Sequence, residues 1–102
     1  MSKTQWSELS SVEFQLSGDL DRDSVPAIWR TLQAWKTTES HVQVNLNTVE
    51  RIDSSGMVML IHLIEHAKNQ NCHIMFSFVP EQLRTLFQLS NIQPMMAEHL
   101  KD

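Results

Sequence analysis

The sequence holds one cysteine, two glycines and no tyrosine in 102 residues. A lone Cys72 excludes an internal disulfide and any multi-cysteine zinc site, and it points to a reducing compartment. With only Gly18 and Gly56 there is no glycine-rich loop to cradle phosphates, which argues against an autonomous nucleotide-binding enzyme. The longest unbroken apolar run, Met57–Ile61, is far short of the ~20 residues that span a bilayer, and the start Met1-Ser2-Lys3-Thr4-Gln5 has no hydrophobic signal segment. The expectation is a cytoplasmic chain with no direct membrane insertion. Positive charge is also scarce: eight Lys and Arg stand against twelve Asp and Glu, a net charge of −4. That balance leaves no footprint for nucleic acid or for an anionic membrane surface.

What is present is an ordinary globular composition, 41% hydrophobic and 20% charged. No linker, repeat or low-complexity stretch divides the chain, so residues 1–102 read as one domain. Val12–Ser17 alternates apolar and polar at period two, as a half-buried strand does, and Gly18-Asp19 is expected to break it; the weaker stretch Gln5–Leu9 can pair with it as a hairpin. Val25, Ile28, Trp29, Leu32 and Trp35 recur at helical spacing, giving a helix to about Thr37 with Pro26 in its first turn and Asp23 or Ser24 as its cap. Val42–Leu46 reads as a strand, and Arg51-Ile52 as a short extended piece. A second helix runs from about Ser55 to Asn69, followed by the strand Ile74–Val79. Pro80-Glu81 then opens a third helix that faces Leu83, Leu86 and Phe87 inward. Asn91–Pro94 interrupts, and Met95–Leu100 adds a last helical turn or two. Strands alternating with helices imply right-handed β-α-β crossovers and a small α/β sandwich.

The most informative segment runs from Arg51 to His66. A strand ends at Ile52, Asp53 and two serines follow, and a helix starts at once. Ser54 or Ser55 can cap that helix, and its positive amide end would tolerate a phosphate on Ser54. Asp53 beside it can orient a donor or help hold a metal when a kinase acts. The plain alternative is that Asp53-Ser54 is a helix cap and nothing more. Stepping 100° per residue puts Met57, Leu60, Ile61, Leu63, Ile64 and Ala67 on the core face, with Ser55, Val58, His62, Glu65 and Asn69 opposite and Met59 and His66 at the margin. An outward Val58 between Ser55 and His62 has the character of a docking surface, although single exposed apolar residues are common.

His62-Leu63-Ile64-Glu65-His66 also fits the inverted zinc-peptidase pattern H-x-x-E-H, but without a clear third ligand; a solvated helix face accounts for it more simply. Asp53-Ser54-Ser55-Gly56 is not a G-x-S-x-G nucleophile elbow. Trp6, Trp29 and Trp35 lack basic neighbours and read as core or interface rather than as a platform for bases. Cys72 reads as a buried small hydrophobe.

Three stretches together resemble the STAS family, small α/β domains that include the anti-sigma factor antagonists. They are Leu16–Asp21, Val44-Asn45-Leu46 leading to Ile52–Gly56, and Pro80–Phe87, and they cover nearly the whole chain. The resemblance implies a mixed β-sheet packed against α-helices. In the antagonists the hydroxyl directly after the aspartate is phosphorylated by a partner serine kinase, and that position here is Ser54.

Within the family, Leu60–Glu65, Ala67–Gln70 and Val25–Trp29 are similar to the cytoplasmic STAS subunits of Gram-negative phospholipid-transporting ABC complexes. Antagonists more often continue the motif with Leu-Gly, where this chain has Met57-Val58; the transport subunits commonly carry threonine where it has Ser54.

The resemblance implies a protein that is not an enzyme and needs no cofactor. It would bind an ABC transporter ATPase subunit, within a complex with a membrane permease, on the cytoplasmic side of the inner membrane, and so support outer-membrane lipid asymmetry. Asp53, Ser54, Ser55, Gly56, Val58 and His62 are the candidate partner-binding or phosphoacceptor-like residues. The alternatives are a sigma-factor regulator switched at Ser54 and a metal-dependent hydrolase.

Overall fold

The computed structural model describes residues 5–101. Strand β1 (Trp6–Glu8) leads to β2 (Glu13–Leu20), α1 (Val25–Ala34), β3 (His41–Ile52), α2 (Ser54–Lys68) and β4 (His73–Ser77); α3 (Glu81–Leu89), α4 (Gln93–Met96) and a 3-10 turn at Ala97–His99 follow. The strands lie in the order β1-β2-β3-β4, β1 antiparallel to β2 and the other three parallel. Each crossover steps to the next strand in the same direction, so right-handed connections put α1 and α2 on one face of the sheet. The two helices pack against each other there.

The period-two pattern explains which face they cover. Phe14, Leu16 and Leu20 on β2, Val42, Val44 and Leu46 on β3, and Ile74 and Phe76 on β4 are buried, together with Ile28, Leu32, Leu60, Leu63, Leu83 and Phe87 from the helices. Glu13, Gln15, Gln43, Asn45 and Met75 alternate with them and line the other, half-exposed face. This is the α/β fold with a mixed sheet and packed helices expected from the sequence.

Several boundaries differ for identifiable reasons. Gly18 does not end β2: it takes φ +75, between register shifts at Gln15/Ser17 and Gly18/Asp19, and pairing continues to Leu20↔Ile52. The bulge absorbs the irregularity, and the Gln5 side-chain amide donates to the Ser17 and Asp19 carbonyls at 2.9 Å each. β3 is accordingly one strand from His41 to Ile52 rather than two pieces.

Helix α1 stops at Ala34, short of Thr37, because Trp35 turns extended. Its ring then stands edge-on to Trp6 and Phe14 at 5.8 and 5.3 Å. Its carbonyl accepts from His66 Nε2 at 2.9 Å. Neither expected residue caps α1 with its side chain: the Ser24 hydroxyl donates to the Asp19 carbonyl at 2.6 Å. Instead the Asp21 carboxylate accepts the Asp23 and Ser24 amides.

β4 ends at Ser77, not Val79, because Phe78 swings to φ +55 and is 62% exposed. Asn91, at φ +57, ends α3, and the Ile92 amide returns to the Phe87 carbonyl at 3.1 Å.

Candidate functional site

The first turn of α2 sits at the end of β3, beside the loop that leaves β2. Asp53, not Ser54 or Ser55, is the cap: its Oδ1 accepts the Ser55 amide at 2.9 Å and the Gly56 amide at 3.1 Å. A carboxylate does this better than a hydroxyl because its charge also suits the positive end of the helix. Oδ2 accepts the Arg22 backbone amide at 3.3 Å, so the same side chain ties the β2–α1 loop to α2. A phosphate on Ser54 would thus find the Ser55 and Gly56 amides already engaged, with a carboxylate next to it.

Gly56 is a packing glycine. A Cβ there would stand 2.2 Å from the Leu20 carbonyl oxygen, 2.8 Å from Ile52 Cγ1 and 2.9 Å from Leu20 Cβ. The missing side chain lets α2 press directly onto the ends of β2 and β3, where the Asp53 amide also donates to the Leu20 carbonyl at 3.2 Å. On the far side, the Gln82 side-chain oxygen of α3 accepts the Ile52 amide at 3.1 Å. The turn carrying Ser54 is therefore held by three elements.

The outward strip contains Ser54, Val58 and His62, all exposed, with Val58 at 45%. Ser55 is half-buried and Gly56 fully buried, so these two belong to the framework under the strip. Met59, expected at the margin of the helix, is buried, and Ile61, expected in the core, is only partly so; the core face is rotated slightly toward α1. His62 and His66 both pack on Trp29 of α1, with ring centroids 5.8 and 6.4 Å from it. Sequence reasoning missed the Arg22 amide, the Leu20 carbonyl and the placement of Trp29 beside His62. A glycine inside an amphipathic helix was the one available signal of close backbone approach.

The zinc-peptidase pattern does not become a site. His66 Nε2 is hydrogen-bonded to the Trp35 carbonyl, and among the described residues no three His, Cys, Asp or Glu side chains stand together as metal ligands. The Asp21 carboxyl is held below its usual range by the Ser24 amide first; desolvation, the next largest influence, opposes this, and the Ser24 hydroxyl, the Asp23 amide and the Arg51 charge add to the lowering. Cys72 is buried as expected, and burial pushes its thiol up, helped by the Glu39 carboxylate. No helix among the described residues is long and apolar enough to cross a membrane.

A four-stranded mixed sheet with helical crossovers between its parallel strands, and an aspartate cap presenting a serine on the following helix, are the arrangement of a STAS-type domain. The profile of the Mlab STAS-domain family matches residues 5–97, and the chain belongs to that family. It is 31% identical over 77 residues to the intermembrane phospholipid transport system binding protein MlaB of Escherichia coli K12, covering 76% of this chain and 77% of the relative. The Shigella flexneri protein of the same name matches equally.

Among solved structures, the anti-sigma factor antagonist SpoIIAA in its unphosphorylated form superposes with a TM-score of 0.70 at 17% identity, over 96% of this chain and 85% of that one. A sulfate transporter family protein from Wolinella succinogenes gives 0.68 at 17% identity, over 92% and 78%. At that identity these two structures speak for the fold.

Proposed function

We propose that this chain is the non-catalytic STAS subunit of an Mla-type phospholipid-transporting ABC complex. It binds the ATPase subunit through Ser54, Val58 and His62, and supports assembly and activity of the transporter in maintaining outer-membrane lipid asymmetry. It works on the cytoplasmic side of the inner membrane, held there by its partner, and uses no cofactor.

The observation that carries this reading is the exposed Ser54–Val58–His62 strip on a helix start fixed from beneath by Asp53 and Gly56. A rigid scaffold under an exposed apolar residue suits docking, since little conformational freedom is lost on binding. The likeness to the phospholipid transport binding proteins supports a place in a phospholipid transport system, and the ATPase as partner is part of the proposal. A stable interface buries about 800 Å² on each partner, more than three side chains offer, so the flanking Arg22, Trp29 and Glu65 belong to it. Such contacts change ATPase activity only by differing between the partner's conformations.

The test is capture of the tagged chain at native expression in mild detergent. Recovery of an ABC ATPase with its permease is expected. Recovery of a soluble serine kinase without them would replace this reading with the second one, an anti-sigma factor antagonist. That alternative rests on the exposure of Ser54 in a fold shared with SpoIIAA. There, phosphorylation by the kinase would add close to two negative charges beside Asp53 and break the interface.

A further inference from the structure

Two stretches of the sequence, Ser54–Ile64 and Thr85–Ala97, carry no Asp, Glu, Lys or Arg, in a chain of which 20% is charged. The fold brings them together. Gln82, Leu86 and Leu89 follow one another along one margin of α3, at the i, i+4, i+7 spacing of a helix face. That margin is turned toward α2. Gln82 reaches the Ile52 amide at 3.1 Å, just before the Asp53 cap, and at the other end of α3 the Ser90 hydroxyl donates to Met57 Sδ at 3.9 Å.

The side chains along this junction are uncharged. Met57 is buried, Ile61 follows it one turn on, and Ile61 and Leu86 are both partly buried against the core. Val58 stands out on the α2 side and Leu89 on the α3 side. Leu89 is 77% exposed, the most exposed large apolar side chain among the described residues. One such residue alone would be ordinary. Here it stands beside the Ser54–Val58–His62 strip, in a surface depleted of charge as the centre of a protein interface is. The strip by itself is too small for a stable interface, which covers about 800 Å² on each partner, and the end of α3 is where exposed apolar surface continues it. Leu9, 52% exposed, has no such setting: its amide bonds to the Glu13 carbonyl, at the end of β2 opposite to Leu20 and α2.

We propose that the docking surface on α2 continues across the Met57–Ser90 contact onto the end of α3, and that Leu89 is an apolar anchor for the ATPase subunit. This inference rests on the reading of α2 as the ATPase-binding helix and names the second helix of that site. The partner presents an apolar, uncharged segment that seats between Val58 and Leu89. A charged group seated there would be desolvated with no Asp, Glu, Lys or Arg in Ser54–Ile64 or Thr85–Ala97 to pair with. Recognition on this side of the site therefore works through shape and buried apolar area, and Leu89 is covered only in the complex.

The test is calorimetric titration of the ABC ATPase subunit recovered with the chain against unmodified protein, Leu89→Glu, Val58→Glu and Leu9→Glu, with circular dichroism to check that each variant folds. Leu89→Glu is expected to lose affinity about tenfold or more, as disrupting a central apolar contact commonly does, while Leu9→Glu binds as the unmodified chain does. Full affinity of Leu89→Glu beside a weakened Val58→Glu would overturn the extension onto α3 and leave the ATPase reading of α2 in place. No binding by the unmodified chain would overturn both. An equal loss in Leu9→Glu would overturn the extension as well, because the effect would then come from added negative charge and not from its place. Should Leu89→Glu not fold, the leucine methyl signals of the unmodified chain in NMR decide. Those of Leu89 are expected to shift or broaden on adding the ATPase far more than those of Leu9, and Leu89 methyls that stay in place overturn the proposal.

Discussion

The Asp53 carboxylate and the Arg22 backbone amide meet at 3.3 Å across 31 residues of sequence. The other oxygen of that carboxylate holds the Ser55 and Gly56 amides. One side chain therefore fixes both the start of α2 and the loop leaving β2, and Ser54 is displayed between them.

Asp53→Ala is expected to destabilise the fold by about 1–2 kcal/mol, the usual effect of losing a helix cap. Asp53→Asn, which keeps an acceptor for the amides, should cost less than Asp53→Ala. Urea denaturation followed by circular dichroism measures both. Equal stability of Asp53→Ala and the unmodified chain would mean that the carboxylate is present for a partner and not for the helix.

Gly56→Ala sets two effects against each other. Alanine is favoured over glycine in a helix by about 1 kcal/mol. The added Cβ, however, would meet the Leu20 carbonyl at 2.2 Å, and that obstacle is backbone rather than a flexible side chain. Overpacking costs about 1–3 kcal/mol and more where nothing can yield, so a net loss of about 2 kcal/mol is expected in thermal or urea unfolding. A stabilised Gly56→Ala would show that α2 does not press on β2 as described.

Much of this arrangement was legible in the sequence, because alternation and helical spacing report burial directly. Val42, Val44 and Leu46 declared the inner face of β3, and Val58 and His62 the outer face of α2. What was not legible depends on partners distant in the chain. Gly18 reads as a breaker until Gln5 is seen bridging the carbonyls on either side of the bulge. Trp35 reads as helical until Trp6, Phe14 and His66 are seen drawing it out. Ser54, Ser55 and Asp53 are all good caps by composition, and only the structure shows that the Asp53 side chain takes the Ser55 and Gly56 amides. His73 of β4 and His99 of the C-terminal turn lie far apart in sequence, and no local pattern announces that they stack.

Asp21 makes part of the acid sensitivity of the fold. Its carboxyl is held below the ordinary value of 3.8, chiefly by the Ser24 amide. A depressed folded-state value contributes stability that is present above the ordinary value and is lost as pH falls through the lowered one. Asp21→Asn retains an acceptor for the amides but no longer titrates. The fall in urea midpoint on acidification below about pH 4 should therefore be shallower in Asp21→Asn than in the unmodified chain. An identical acid profile in the two proteins would remove Asp21 from the titrating groups that matter.

Cys72 should be a slow thiol. It is buried, and burial together with Glu39 disfavours its thiolate, the reactive form. Alkylation by iodoacetamide near pH 8, followed by mass spectrometry, is expected to be slow in the folded chain and at least ten times faster, roughly, in denaturing urea. Equal rates in the two conditions would contradict the packing of the loop before β4.

The exposed strip on α2 is where the account of function can fail most plainly. Calorimetric titration of the purified chain against the ABC ATPase subunit recovered with it, using unmodified protein, Ser54→Asp and Val58→Glu, tests that directly. The expected result is measurable binding by the unmodified chain and an affinity loss of about tenfold or more in each variant, since truncating or charging a central contact commonly costs over 1 kcal/mol. Circular dichroism and unfolding midpoints should stay close to those of the unmodified chain, because both side chains are exposed. Unchanged affinity in both variants, with the fold intact, would contradict the assignment of the Ser54–Val58–His62 strip as the docking surface.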